Sequence, residues 1–204
     1  MGTRGLMAFA HDGKLKAMYN HWDSYPSALG TEMLNWIVAQ NGDFTVAIEQ
    51  FDRLEAIDED VPPTEDQKLA LLRYLNLNVA SRSSDDWYSL LRETQGNPTE
   101  ALKAGYFVDS SAFGGDSLFC EWAYVVDLDR KVLEVYKGFV TAPHSTGRWA
   151  DADPRPLSYA DTVYYPIELI RIYTAEDLAA HPDMLTKLEE FLDAEEEAAE
   201  AAEG

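Results

Sequence analysis

The chain has one cysteine, Cys120, in 204 residues. A single thiol excludes an internal disulfide and any multi-cysteine metal site, and it fits a reducing compartment. Basic residues are scarce: 16 stand against 37 acidic ones, for a formal net charge of −21. Non-specific binding to nucleic acid or to anionic membranes depends on basic surface, so neither is expected as a partner. Long apolar runs are missing too, and no stretch approaches the ~20 residues of a membrane helix. No basic segment precedes an apolar one near Met1, so no secretory signal is expected. The start MGTRGL lacks the Ser or Thr of a myristoylation signal at its sixth position. A cytoplasmic location is the expectation. There is no internal repeat, no Walker or dinucleotide-binding pattern, and no cofactor is expected.

What the chain does have is the composition of a globular protein. Hydrophobic content is 46% and aromatic content 12%, enough for a real core, and the length suits one large domain or two small ones. Leu6 to Ala10 reads as a buried strand. Asp12-Gly13 then gives the strongest short hairpin signal, because both central residues of a type I′ turn need φ > 0. Lys14 to Tyr19 returns, and Pro26 ends the pairing. If the second strand persists past Tyr19, His21 and Asp23 share one face.

From about Ala28 to Ala104 the signals are helical. Leu29, Met33, Trp36, Ile37 and Gln40 keep helical spacing, and Asn41-Gly42 stops it. Asp43 is placed to cap a second helix. Thr64 with Gln67 has capping-box spacing for a third, running through Leu75. Ser84 begins a fourth, and Asn97-Pro98 a fifth that stops at Gly105. Strands return from Tyr106, and Phe119 to Asp127 with Val132 to Phe139 makes a second hairpin. Thr141 to Leu157 is loop, with a Gly-Arg-Trp at 147–149. Pro166 to Tyr173 reads as a last strand, and Thr174 caps a terminal helix. From Glu189 onward there are eight acidic residues and no basic one, which leaves the body at −13. The expected fold class is α+β: an antiparallel sheet from an N-terminal and a later hairpin, a central helical segment and a C-terminal helix. Residues 1–188 form one domain in this reading, and 189–204 an acidic tail.

The strings GTRG and YNHWDSYPSALG at the start, with LFCEWAYVVDLDRKVLEVYKGF at Leu118 to Phe139, resemble a family of uncharacterised proteins from actinobacteria, their phages and some fungi. The two blocks span about a quarter of the chain. A weaker likeness is to N-terminal-nucleophile hydrolases of the penicillin-acylase and bile-salt-hydrolase type, whose first strand opens Cys-Thr-Arg. Thr3-Arg4 and Asp23 sit at similar places, whereas Gly2 stands where the nucleophile belongs.

Candidate chemistry concentrates in the first block. His21 with Asp23 could be a base and its orienter, or two metal ligands awaiting a third from Asp109, Asp116 or Glu121. The plainer alternative is a polar strand end, and no metal is assigned. Thr3 could be a nucleophile only with a free α-amine, since that amine is the general base. Arg4 could pair with Asp23 or Glu121. Thr3, Arg4, His21 and Asp23 are thus the catalytic candidates. The ligand-binding candidates are Tyr19, Asn20, Tyr25, Asp109, Ser110, Asp116 and Glu121. Cys120 lies inside a strand with no cation beside it, as a structural cysteine does.

Three functions follow in order. The first is a non-catalytic cytosolic binding or regulatory protein, phage-encoded on the resemblance, with an acidic surface and a protein or small-molecule partner. The second is a hydrolase with an N-terminal-nucleophile-like fold acting through Thr3, His21 and Asp23. The third is a small-molecule-binding protein whose pocket lies between the hairpins and the helices.

Overall fold

A computed structural model describes residues 2–79, 82–157 and 162–203. Met1 and Gly204, the outer ends of the expected domain and tail, lie outside the described residues.

Strands β1 (Gly5–His11) and β2 (Lys14–Asn20) form the first hairpin. Its turn has Asp12 at φ 49° and Gly13 at φ 71°, as the Asp-Gly pair demands. The chain then makes one wide turn at Pro26–Gly30 and enters α1 (Thr31–Ala39). Asn41 and Gly42, both at positive φ, end that helix. The Asp43 carboxylate accepts from the Thr45 amide at 3.0 Å as α2 (Thr45–Arg53) begins. A short strand, β3 (Glu55–Ile57), follows. Helix α3 (Glu65–Leu71) opens on the reciprocal Thr64–Gln67 capping box. Helix α4 (Trp87–Leu90) is capped by Asp86 rather than begun at Ser84. Helix α5 (Pro98–Lys103) starts on Asn97 with Pro98 in its first turn, and β4 (Tyr106–Val108) follows. Strands β3 and β4 pair in parallel, so the central segment contains a small sheet as well as helices.

The second hairpin is β5 (Trp122–Asp127) with β6 (Val132–Lys137). A two-stranded ladder of β7 (Arg155–Pro156) and β8 (Val163–Tyr164) lies in the long connection to β9 (Glu168–Thr174). Helix α6 (Ala175–Ala180) begins on a Thr174–Asp177 capping box, and α7 (Met184–Glu203) completes the chain. Pro182 sits between the two helices, which divides the expected terminal helix.

The main sheet has the order β2-β1-β5-β6-β9. The fold is α+β, with the two hairpins in one sheet. They join through a parallel β1–β5 ladder, so the sheet is mixed rather than wholly antiparallel. The helical segment carries the chain from β2 back to a strand aligned with β1, which a tight hairpin cannot do.

Both faces of the sheet are covered, which is why β1 and β5 read as continuous apolar runs. One face (Met7, Phe9, Tyr124, Val126, Leu133, Val135) packs on α1, α2, α6 and α7. Gly30 permits this: a Cβ there would lie 2.8 Å from the Tyr124 ring. The other face (Leu6, Ala8, Ala123, Val125, Tyr136) takes Trp149 and Phe113 from loops. A third cluster, with Leu71, Tyr74, Trp87 and Leu90 at its centre, lies off the β2 side.

The expected tail boundary at 188/189 falls inside α7. Leu185 and Leu188 are core residues, and just past them the Glu189 carboxylate accepts from the Ser27 amide at 2.7 Å. Farther out, Glu196 pairs with Lys137. None of the described helices is long and apolar enough to cross a membrane.

Candidate functional site

The edge strand β2 has no sheet neighbour on its outer side. There the third cluster closes a cavity of about 270 Å³. Met18 and Tyr19 of β2 form one wall, Trp87 and Tyr88 of α4 another, and Tyr106 and Phe107 of β4 the floor, with Ser110 and Phe113 at one side. The walls are held from behind. The Asp86 carboxylate caps α4 through the Tyr88 and Ser89 amides, and the Trp87 indole N–H donates to the Val61 carbonyl at 2.8 Å. Tyr19 meets Phe113 edge-on at 5.4 Å. The hollow is partly open and largely apolar, with six aromatic side chains in its lining and polar atoms from Glu59, Thr94, Gln95 and Ser110, a composition common in small-ligand sites.

At the mouth, the Tyr19 hydroxyl and His21 Nδ1 share a hydrogen bond of 2.8 Å. The imidazole stands edge-on to Trp22 at 4.5 Å and to Tyr88 at 6.4 Å. Burial lowers the His21 pKa below its ordinary value, and the charges of Arg92 and Arg4 lower it further. His21 is therefore a neutral hydrogen-bonding group at pH 7. Burial likewise raises the Tyr19 phenol, which stays protonated.

A second cavity, also of about 270 Å³, lies on the far side of Gln95, which borders both. Its lining is mixed and more polar than that of the first: Asn20, Asp23, Thr31, Glu32 and Arg92 stand among the apolar surfaces of Trp22, Ala28 and Leu29. The Asn20 amide donates to the Trp22 carbonyl at 2.6 Å and to Ser24 Oγ at 2.8 Å, which fixes the bend after β2. Arg92 donates to Gln95 Oε1 at 3.1 Å.

The structure brings some of the expected residues together and separates others. Tyr19 and Ser110 line the aromatic cavity, Asn20 and Asp23 the polar one, and His21 stands close by. His21 and Asp23 do not share a strand face. β2 ends at Asn20, and Asp23 takes φ 54°, turning the chain so that the Asp23 carbonyl receives the Leu29 amide at 3.1 Å. Thr3 is 2% exposed, and its carbonyl accepts from the Ser24 amide. The Arg4 guanidinium lies over Phe119 at 5.3 Å, with Arg155 over the same ring at 4.9 Å. Glu121 accepts from the Arg4 backbone amide at 3.3 Å, and Asp116 pairs with Arg155. Asp109 closes an Asx turn on the Ser111 amide at 2.9 Å, while Tyr25 is solvent-exposed and its carbonyl starts the wide turn at Pro26. Cys120 is fully buried, and burial pushes its thiol well up. Among the described residues no three His, Cys, Asp or Glu side chains cluster as metal ligands.

Sequence reasoning missed the far wall: Trp87, Tyr88, Tyr106 and Phe107, with Arg92 and Gln95. The two adjacent aromatic pairs, Trp87-Tyr88 and Tyr106-Phe107, were the available signal. Comparison of the chain with known proteins finds no matching family model, no matching curated protein and no matching solved structure.

Proposed function

We propose that this chain is a non-catalytic, cytoplasmic small-molecule-binding protein whose ligand carries an aromatic or other flat apolar part, held in the cavity between β2, α4 and β4. The observation that carries the reading is that six aromatic side chains from four separate segments converge on one largely apolar hollow. Aromatic walls recognise a flat apolar group by edge and face contacts at centroid separations of ~4.5–7 Å. The Tyr19–His21 pair offers hydrogen bonds at the mouth without a net charge.

A hydrolase reading needs a free amine on Thr3 and an open approach to its hydroxyl. Thr3 is 2% exposed and lines neither cavity, which favours binding over catalysis. His21 hydrogen-bonds a phenol rather than a carboxylate, so nothing orients it as a base in the manner of an Asp-backed imidazole.

A thermal-shift screen against small aromatic compounds tests the reading. A ligand at 100 times its Kd adds ~2.7 kcal/mol. In a chain of this size that raises the midpoint by about 5–11 °C. Tyr88→Ala, folded by circular dichroism, should abolish the shift. Hydrolysis of an amide or ester panel that vanishes in His21→Ala would instead establish the catalytic alternative.

A further inference from the structure

We infer that the polar cavity beyond Gln95 seats the head group of the same ligand, and that this head group is zwitterionic, an ammonium and a carboxylate on one small aromatic molecule, as in a free aromatic α-amino acid. The inference rests on the aromatic reading of the first cavity and extends it.

The two hollows are neighbours. Gln95 borders both, and the Arg92 guanidinium is tied to its side-chain oxygen at 3.1 Å. A molecule with its ring against Tyr88 therefore has its polar end one side chain away from Arg92. That cavity is lined by charges of both signs: the half-buried Arg92 and the exposed Asp23 and Glu32. Among the described residues none of these three makes an ion pair within 4 Å, with each other or with any other residue, whereas Arg53, Arg73, Arg130, Arg148 and Arg155 all do. Among the described residues Arg4 and Arg171 also lack an ion pair, but neither lines this cavity; Arg92 lines it together with two carboxylates.

Separated, unpaired charges of opposite sign in one hollow set up a field that complements a dipole. The guanidinium fork suits a carboxylate, which it can hold through two N–H donors at once. Asp23 and Glu32 suit an ammonium. A ligand with only a carboxylate would meet two anions, and one with only an ammonium would meet Arg92. A head group with both charges on one carbon offers a partner to charges of each sign. The aromatic hollow takes the side chain, with the Tyr19 and His21 pair above it.

Calorimetric titration with four probes that share one ring tests this: L-phenylalanine, 3-phenylpropionate, 2-phenylethylamine and 3-phenylpropanamide. Phenylalanine should bind at least tenfold more tightly than either singly charged probe. Arg92→Gln should weaken phenylalanine and phenylpropionate tenfold or more and spare phenylethylamine. Asp23→Asn with Glu32→Gln should weaken phenylalanine and phenylethylamine tenfold or more and spare phenylpropionate. Equal affinity for all four probes, lost together in Tyr88→Ala, would overturn the head-group assignment and leave the aromatic cavity standing. Tightest binding by a singly charged probe would also overturn the assignment. Failure of every probe to bind at millimolar concentration would overturn both readings.

Discussion

Arg148 reaches from the long connection between β6 and β9 onto the loop-covered face of the sheet, and its removal should be among the most damaging changes in the chain. Its Nε donates to Glu134 Oε2 at 2.7 Å, and its Nη2 to Glu134 Oε1 at 3.0 Å and Asp127 Oδ2 at 2.8 Å. Glu134 is 4% exposed and Asp127 7%, so both carboxylates depend on this fork. The Tyr136 hydroxyl donates to Glu134 at 2.8 Å, and burial beside that carboxylate raises its pKa. Burial alone would lower the Arg148 guanidinium; the Glu134 hydrogen bonds and charge outweigh it, and its pKa is raised. Breaking a buried pair by deleting one partner costs ~3–5 kcal/mol, because the other charge stays behind. Two features pull the expectation to the lower end. Arg130 remains 3.2 Å from Glu134, and the Arg148 side chain is 28% exposed, so water can follow its loss. Arg148→Met should therefore destabilise by about 3 kcal/mol. That corresponds to about 6–12 °C at this size. Urea titration measures it directly. Arg148→Met combined with Glu134→Gln should recover part of the loss, since one orphaned charge is gone. A single variant within 0.5 kcal/mol of the parent, or a double variant no better than the single, would refute this account of what holds the loop to the sheet.

Three further expectations follow from packing and charge. Gly30→Ala sets a methyl group 2.8 Å from the buried Tyr124 ring, whose hydroxyl donates to the Ser24 carbonyl, so the ring cannot yield freely. A loss of ~1–3 kcal/mol by denaturant titration is expected, and none would mean that α1 shifts without cost. The His21 imidazole should titrate below its ordinary 6.5 when followed by NMR. The unfolded chain then binds more protons in that window, so the His21 contribution is fully present above pH 6.5 and is lost as pH falls. Arg92→Gln should move the midpoint up, and an unmoved midpoint would place Arg92 away from the imidazole. Truncation after Leu192 removes the Lys137–Glu196 pair and no core residue. An exposed pair is worth ~0.2–1 kcal/mol. The thermal midpoint should therefore fall by less than about 4 °C, and a larger fall would show that the distal turns of α7 dock.

The elements legible in the sequence are those set by local chemistry. Asp12-Gly13 needs only its own backbone to make the turn, Thr64 and Gln67 satisfy each other, and Asn97-Pro98 carries both a cap and a fixed φ. Where two capping residues compete, local chemistry is ambiguous: Ser84 and Asp86 both suit an N-cap, and only Asp86 has the Tyr88 and Ser89 amides in reach. Strand β4 begins at Tyr106, where strands were expected to return, but β3 was illegible because three residues show no period, and its pairing with β4 joins segments about fifty residues apart. The aromatic cavity was half legible for the same reason. Tyr19, Tyr106, Phe107 and Ser110 lie in or beside expected strands, but no local pattern shows that α4 brings Trp87 and Tyr88 against them.

Glu134 shows how a local rule can be followed and still mislead. Along β6 the order Leu133, Glu134, Val135, Tyr136 alternates as a half-exposed strand does, which places Glu134 and Tyr136 toward water. Those two do share a face, opposite Leu133 and Val135. The face is nonetheless dry, because a loop without regular helix or long strand lies across it and inserts Trp149 against Tyr136 at 5.0 Å. Arg148, the neighbouring residue, supplies the cation that lets Glu134 and Asp127 stay there. The Gly-Arg-Trp triplet was visible, but its acidic partners lie 14 and 21 residues away, and no periodicity links a loop to a strand. In this chain the excess of acid conceals the informative charges, because only the fold shows which arginines meet a carboxylate and which line a cavity. Arg148 receives two and holds the fold, whereas Arg92 receives none within reach and faces a cavity.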